Sequence, residues 1–213
     1  MKKITLIIAI AAFVVNLGFA QDTETDVRDK PHLGIKVGAN LSNVYDTKGD
    51  NFNADSKFGL AAGGFLSIPI GKYIGIQPEI LFSQKGYKTS GSILGISTYE
   101  FTHTSTFIDV PILLALKPNE YVTFLVGPQY SYLTKQKNVF KNSILSGQQE
   151  SDFDNDNIRK NTLCFLAGVD LTMSQLVLGL RAGWDIQNNN GDGTSTDPRY
   201  KNMWFQGTIG VRF

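Results

Sequence analysis

Residues 33–43 read LGIKVGANLSN. Leu33, Ile35, Val37, Ala39 and Leu41 alternate with Gly34, Lys36, Gly38, Asn40 and Ser42. A period of two marks a β-strand with one apolar and one polar face. The alternation alone does not say where the water is. An apolar face turned inward makes a soluble β-protein, and one turned outward meets lipid.

Working outward from this stretch, eight strand-like segments follow one another, at roughly 32–43, 57–70, 73–87, 99–117, 121–135, 158–173, 175–188 and 199–213. No convincing helical periodicity appears beyond the first twenty residues. Three links are short: IGKY at 70–73, KPNEY at 117–121 and MSQ at 173–175. Four are longer and polar, at 44–56, 88–98, 136–157 and 189–198. Short and long links alternate strictly, so an up-and-down meander puts all short turns at one end. Outer-membrane barrels have this asymmetry, with short periplasmic turns and longer outer loops.

The two faces of the segments then settle the direction. One side carries runs such as Phe58, Leu60, Ala62, Leu66, Ile68 and Ile70, or Leu176, Leu178, Leu180, Ala182, Trp184 and Ile186. These runs have about the 9–11 residues that a tilted strand needs to cross a bilayer. The other side holds small, neutral groups, among them Gly59, Gly63, Ser83, Gln129, Thr162, Gly179 and Gln206. A solvated surface would be rich in Lys, Glu, Arg and Asp. A lipocalin-like soluble calyx would also need large apolar groups inside, so the apolar face is expected to meet lipid. In lipid every backbone group must be paired, which forces the sheet to close. The expected fold is an all-β, eight-stranded antiparallel up-and-down transmembrane β-barrel.

Aromatic residues support this placement. Phe58, Tyr87, Tyr130, Tyr132 and Trp184 fall near the long-loop end, and Tyr73, Tyr121 and Phe213 near the short-turn end. Two such belts are expected at membrane interfaces.

Composition and the N-terminus agree with an exported chain. Of 213 residues only 18% are charged, against about 25% in ordinary soluble domains. The 20 Lys and Arg balance 19 Asp and Glu, which leaves no footprint for nucleic acid. MKK, an apolar ITLIIAIAAFVV and the small residues Gly18 and Ala20 form a signal peptide over 1–20. A polar leader over 21–31 and a barrel domain over 32–213 complete the organisation. Cys164 is the single cysteine, so no internal disulfide forms, and it is expected to be a small buried side chain.

The chain resembles the small outer-membrane β-barrel family of Bacteroidetes-type bacteria that includes the PorT-like proteins. The resemblance rests on an ordered set: GIKVGANLSN, IGIQPEILFSQKGY, FIDVPILLALKP, FLVGPQYSYL, GLRAGWDI and GTIGVRF. It implies an eight-stranded barrel in the outer membrane, with lipid and, during biogenesis, the barrel-insertion machinery as partners. The terminal Phe213 resembles the signal that this machinery recognises. PorT-like members are linked to secretion and gliding machinery, which suggests an envelope protein as a further partner.

Alternation places Lys36, Glu79, Lys85, Asp109, Asp170, Arg181, Asp185 and Arg212 on the inner face. Buried charges without partners are costly, so these residues are expected to form a structural network across the lumen, with Glu79 and Arg181 as a pair. No cofactor, metal site or catalytic set is expected. His32 and His103 lack ligands at zinc spacing, and His103 has no evident Ser and Asp companions. Asp152, Asp154 and Asp156 resemble the start of a calcium loop, but Asn157 and Leu163 stand where an EF-hand needs Gly and Glu. Pro78, Pro111 and Pro128 interrupt strands and are expected to sit at β-bulges. In the fourth segment, Tyr99 and Phe101 are odd-numbered whereas Ile108, Val110, Ile112 and Leu114 are even. A bulge, or an extension above the membrane, would explain that shift.

The leading functional expectation is a non-enzymatic structural or interaction protein of the envelope. The alternative is a small outer-membrane enzyme, or a narrow conduit, using the lumenal charges.

Overall fold

The computed structural model describes residues 28–46, 55–93, 97–142, 149–151, 159–189 and 200–213. The expected signal peptide, most of the leader and the acidic triplet at 152–156 lie outside the described residues. Nine strands follow in order: β1 (His32–Asp46), β2 (Asp55–Pro69), β3 (Ile74–Ile93), β4 (Ser97–Leu116) and β5 (Val122–Asn142), then β6 (Gln149–Ser151), β7 (Asn161–Met173), β8 (Leu176–Asp185) and β9 (Tyr200–Arg212).

Eight of them close a ring. Each of β1 to β5 pairs with the next, β5 passes to β7, and β7, β8 and β9 lead back to β1, all antiparallel. The closing seam runs from Gly34 opposite Arg212 to Asp46 opposite Tyr200. The short β6 lies on the upper part of β5, at Asn138 to Phe140, where β7 no longer reaches. Closure removes the free edges that an exposed sheet would offer.

The tight turns lie at one end, which faces the periplasm in a barrel of this asymmetry. In one, the Asn119 side-chain oxygen accepts the N–H groups of Tyr121 and Val122, both at 2.9 Å. In another, Ser174 takes the left-handed conformation with φ 55° between Met173 and Leu176. At the opposite end β3, β4 and β5 run on well beyond their neighbours. The stretch expected as a loop at 88–98 is mostly a hairpin, paired from Lys88–Thr102 up to Ile93–Ser97. Part of the expected loop at 136–157 likewise continues β5.

Above the bilayer the polarity of the wall inverts, which explains the parity of the fourth segment. The inner face of β4 keeps odd numbers throughout, from His103 to Lys117. Within the membrane those residues face the lumen and the even ones, such as Ile108 and Ile112, face lipid. Above it the inner face becomes aromatic: Tyr87 lies 5.2 Å from the His103 ring and 6.5 Å from Phe101. Tyr87 therefore belongs to this inner cluster and not to the outer belt. A bulge is also present nearby. Thr134 of β5 is the extra residue, and its hydroxyl donates to the Thr106 carbonyl at 2.9 Å.

The prolines are accommodated differently from the expectation. Register is unbroken through Pro78, Pro111 and Pro128. Between β3 and β4 the paired positions stop at Pro78–Ile112 and resume in register at Leu81–Asp109. A missing N–H thus opens the ladder locally without adding a residue.

The small inner residues have a clear use. A Cβ at Gly183 would overlap the ring of Trp204, and one at Gly34 the ring of Phe65. At Gly179 it would fall 2.8 Å from Asp170 Oδ1, and at Gly210 2.9 Å from Lys36 Cβ. These glycines are the space into which large neighbouring side chains fold. The lumen is consequently less uniformly small and polar than the alternation suggested. Leu113, Ala115, Leu125, Cys164, Leu166 and Trp204 form an apolar cluster inside it.

Candidate functional site in the barrel lumen

Four charged side chains from four strands meet across the bore. Lys36 (β1) donates from Nζ to Glu79 Oε2 (β3) at 2.5 Å. Arg181 (β8) donates from Nη1 to the same oxygen at 2.6 Å. Its Nη2 reaches both oxygens of Asp170 (β7), at 3.2 and 3.1 Å. Gln77 joins the two carboxylates, donating to Glu79 Oε1 at 2.9 Å and to Asp170 Oδ2 at 3.3 Å. Two cations and two anions make a neutral set, and all four are buried. Charge-assisted bonds of this kind offset the desolvation that would otherwise expel such groups.

Nearer the extracellular end the arrangement is separate. Lys85 binds Asp109 at 3.0 Å and lies 3.7 Å from the centre of the Trp204 ring and 4.9 Å from that of Phe107. Asp185 accepts the Asn202 backbone N–H at 2.9 Å and its amide at 2.6 Å, and the Cys164 thiol at 3.1 Å. Between the two groups Gln206 donates to Asn40 Oδ1 and Asn40 donates to Ser83 Oγ, each at 2.9 Å. The expected set of eight is thus brought together in part: a group of four, a pair, and Asp185 with polar neighbours. Arg212 stands apart at the periplasmic mouth, where its Nε donates to the Ser174 carbonyl at 2.9 Å.

Two features of this interior were missed in the sequence. His103 does have partners: Nδ1 lies 2.6 Å from Asn138 Oδ1 and Nε2 3.0 Å from Ser105 Oγ. The order is that of a nucleophile, a base and an orienting group, with an amide in the third place. Yet His103 and Ser105 are only 6% and 5% exposed. The histidine also lies under Tyr87 and against the edge of Tyr200, so described residues cover the line in this arrangement. The second is Lys117, which continues the odd-numbered inner face of β4 and was readable by that rule. It donates to Ser67 Oγ at 3.1 Å and to the Arg28 carbonyl at 3.3 Å. Burial, together with the charges of Arg212 and Arg28, holds its ammonium below the usual lysine range. Among the described residues no cluster of three His, Cys, Asp or Glu is placed to hold a metal ion.

A closed eight-stranded barrel with an apolar outer wall and a charged, filled bore limits the families to which the sequence can be compared. The family model for the outer membrane protein beta-barrel domain matches residues 19–190. The chain belongs to that family. Its place is the outer membrane, with the wall in the lipid bilayer. Among solved structures it is similar to Ail, the attachment invasion locus protein of Yersinia pestis, at 16% identity and a TM-score of 0.48, covering 86% of this chain and 99% of that one. It is also similar to Neisserial surface protein A, at 11% identity and a TM-score of 0.49, covering 85% and 97%. A third similarity is to OprG of Pseudomonas aeruginosa, at 9% identity and a TM-score of 0.35, covering 86% and 95%. Among curated proteins none matches the sequence.

Proposed function

We propose that this outer-membrane barrel is non-enzymatic and acts through its outer surfaces on another envelope component. The resemblance to PorT-like proteins suggests an accessory role in a secretion or surface complex. The observation that carries this reading is the filled lumen. The Lys36–Glu79–Arg181–Asp170 group crosses the bore, and Trp204 and the leucines pack around the remaining space. Among the described residues such an interior speaks against a solute path or a substrate chamber and supports reading its charges as a rigidifying plug. Contacts are then left to the rim and the wall. The raised part of β3, β4 and β5 is the best placed element, because its outer face is polar, with Lys88 paired to Glu100 at 3.8 Å.

The enzymatic alternative is favoured by one feature, the Ser105–His103–Asn138 line, and the rings covering it weigh against it. Gentle-detergent purification of the full chain from its own membranes, followed by mass spectrometry, tests the proposal. One envelope protein should co-purify with the wild type and be lost when the β3–β4 hairpin is shortened. Absence of any co-purified envelope protein, or ion conductance by the purified barrel in planar bilayers, would overturn it.

A further inference from the structure

The lipid-facing wall is indented where β2, β1, β9 and β8 run side by side. Register sets Leu60, Ala39, Gly207 and Leu180 level with one another on these four strands. Two small residues thus stand between two leucines, each 64% exposed. On the extracellular side of this row lies a bulkier one, with Phe58, Leu41 and Phe205 on the first three strands. Ala39, Gly207, Leu180, Leu41, Phe58 and Phe205 line a groove of about 420 Å³. The two other lining residues, Arg181 and Gln206, turn their side chains into the lumen, to Glu79 and Asn40. The open side of the groove is therefore apolar. Its volume falls within the range of about 300–1,000 Å³ usual for small-ligand sites.

The packing of the barrel does not require the glycine at its floor. Among the described residues, a Cβ at Gly207 would meet only Leu180 Cδ2, at an ordinary 3.9 Å, whereas one at Gly183 or Gly34 would overlap a ring. The groove is too small to seat a second barrel, since a stable protein interface takes about 20–30 residues a side. Lipid, by contrast, already covers the wall around it. Along β1 the lipid-facing residues rise from Leu33 at the periplasmic end to Leu41, so Ala39 sets the groove in the extracellular half of the belt. Within hydrocarbon, association gains from close packing and not from the removal of water. A chain in the groove touches its floor and both flanks, whereas a chain on the plain wall touches one side only.

We propose that this groove holds one acyl chain of a lipid of the extracellular leaflet, lying over Ala39 and Gly207 between Leu180 and Phe58.

The test is native mass spectrometry of the full-length protein, released from nonionic micelles that contain rising amounts of dimyristoylphosphatidylcholine. One lipid should be retained saturably ahead of any others. Gly207→Leu and Ala39→Leu, each checked for folding by circular dichroism, fill the groove and should weaken that first binding at least tenfold. Ile112→Leu, on the lipid face of β4 across the barrel, should leave it unchanged. Dihexanoylphosphatidylcholine, with the same headgroup and short chains, should bind at least tenfold more weakly. No saturable first lipid, undiminished retention in a folded groove variant, equal loss in Ile112→Leu, or equal binding of the short-chain lipid would overturn the proposal. So would a dimer of barrels that the groove variants abolish, because the occupant would then be a second copy.

Discussion

Replacing Arg181 by Met should lower the unfolding free energy of the barrel by about 3–5 kcal/mol, the cost of breaking a buried ion pair from one side. Arg181 provides two bonds to Asp170 and one to Glu79. After its removal Glu79 keeps Lys36 and Gln77, whereas Asp170 keeps only the Gln77 amide at 3.3 Å. The loss should therefore fall on Asp170. Adding Asp170→Asn to the variant removes the stranded charge and leaves the neutral Lys36–Glu79 pair. The double variant should accordingly recover part of the loss, with a coupling of about 0.5–3 kcal/mol, typical of residues in one network. Urea unfolding in lipid vesicles, followed by tryptophan fluorescence, measures the wild type, both single variants and the double variant. Equal and additive losses would mean that the network does not act as a unit.

The second large effect concerns the wall. Ile80 is 60% exposed and lies on β3 midway between the turn residue Tyr73 and the raised hairpin. Ile80→Arg places a charge near the middle of the bilayer, where it should cost about 2–4 kcal/mol. Tyr73→Arg, at the periplasmic interface, should cost about 0–1 kcal/mol by the same depth dependence. A soluble barrel would accept both substitutions on its wet exterior with little change. The difference between the two sites, measured by the same unfolding assay in vesicles, is thus specific to lipid contact.

These effects separate what alternation makes legible from what it cannot reach. Leu33, Ile35, Val37 and Leu41 face lipid as the first strand suggested, because period two fixes the side of every residue once one side is known. The same rule put Lys36, Glu79, Asp170 and Arg181 in the lumen. Parity alone does not fix which of them meet: Glu79 and Arg181 are expected as a pair, but the places of Lys36 and Asp170 beside them depend on how far adjacent strands are displaced around the ring. By the same parity Lys117 falls on the inner face, but it lies in the turn after β4, and alternation does not show that Arg28 and Arg212 lie beside it. His103, Ser105 and Asn138 were missed for another reason. The bulge at Thr134 shifts β5 by one residue, bringing an even-numbered Asn138 to face odd-numbered partners. Trp204 shows a third limit: its inward position follows from sharing parity with Gln206, but the room for it comes from Gly183 on the next strand.

The orientation of the wall is the central claim, and the two tryptophans report on it directly. Trp184 is 39% exposed on the outer face, and Trp204 is 2% exposed inside. Fluorescence should be measured in vesicles of acyl-brominated phosphatidylcholine for the wild type and for Trp184→Phe. Bromine should quench a substantial part of the wild-type emission and affect the remaining Trp204 emission of the variant only weakly. Strong quenching of Trp204 in the variant, or none in the wild type, would contradict a lipid-facing wall around a filled lumen.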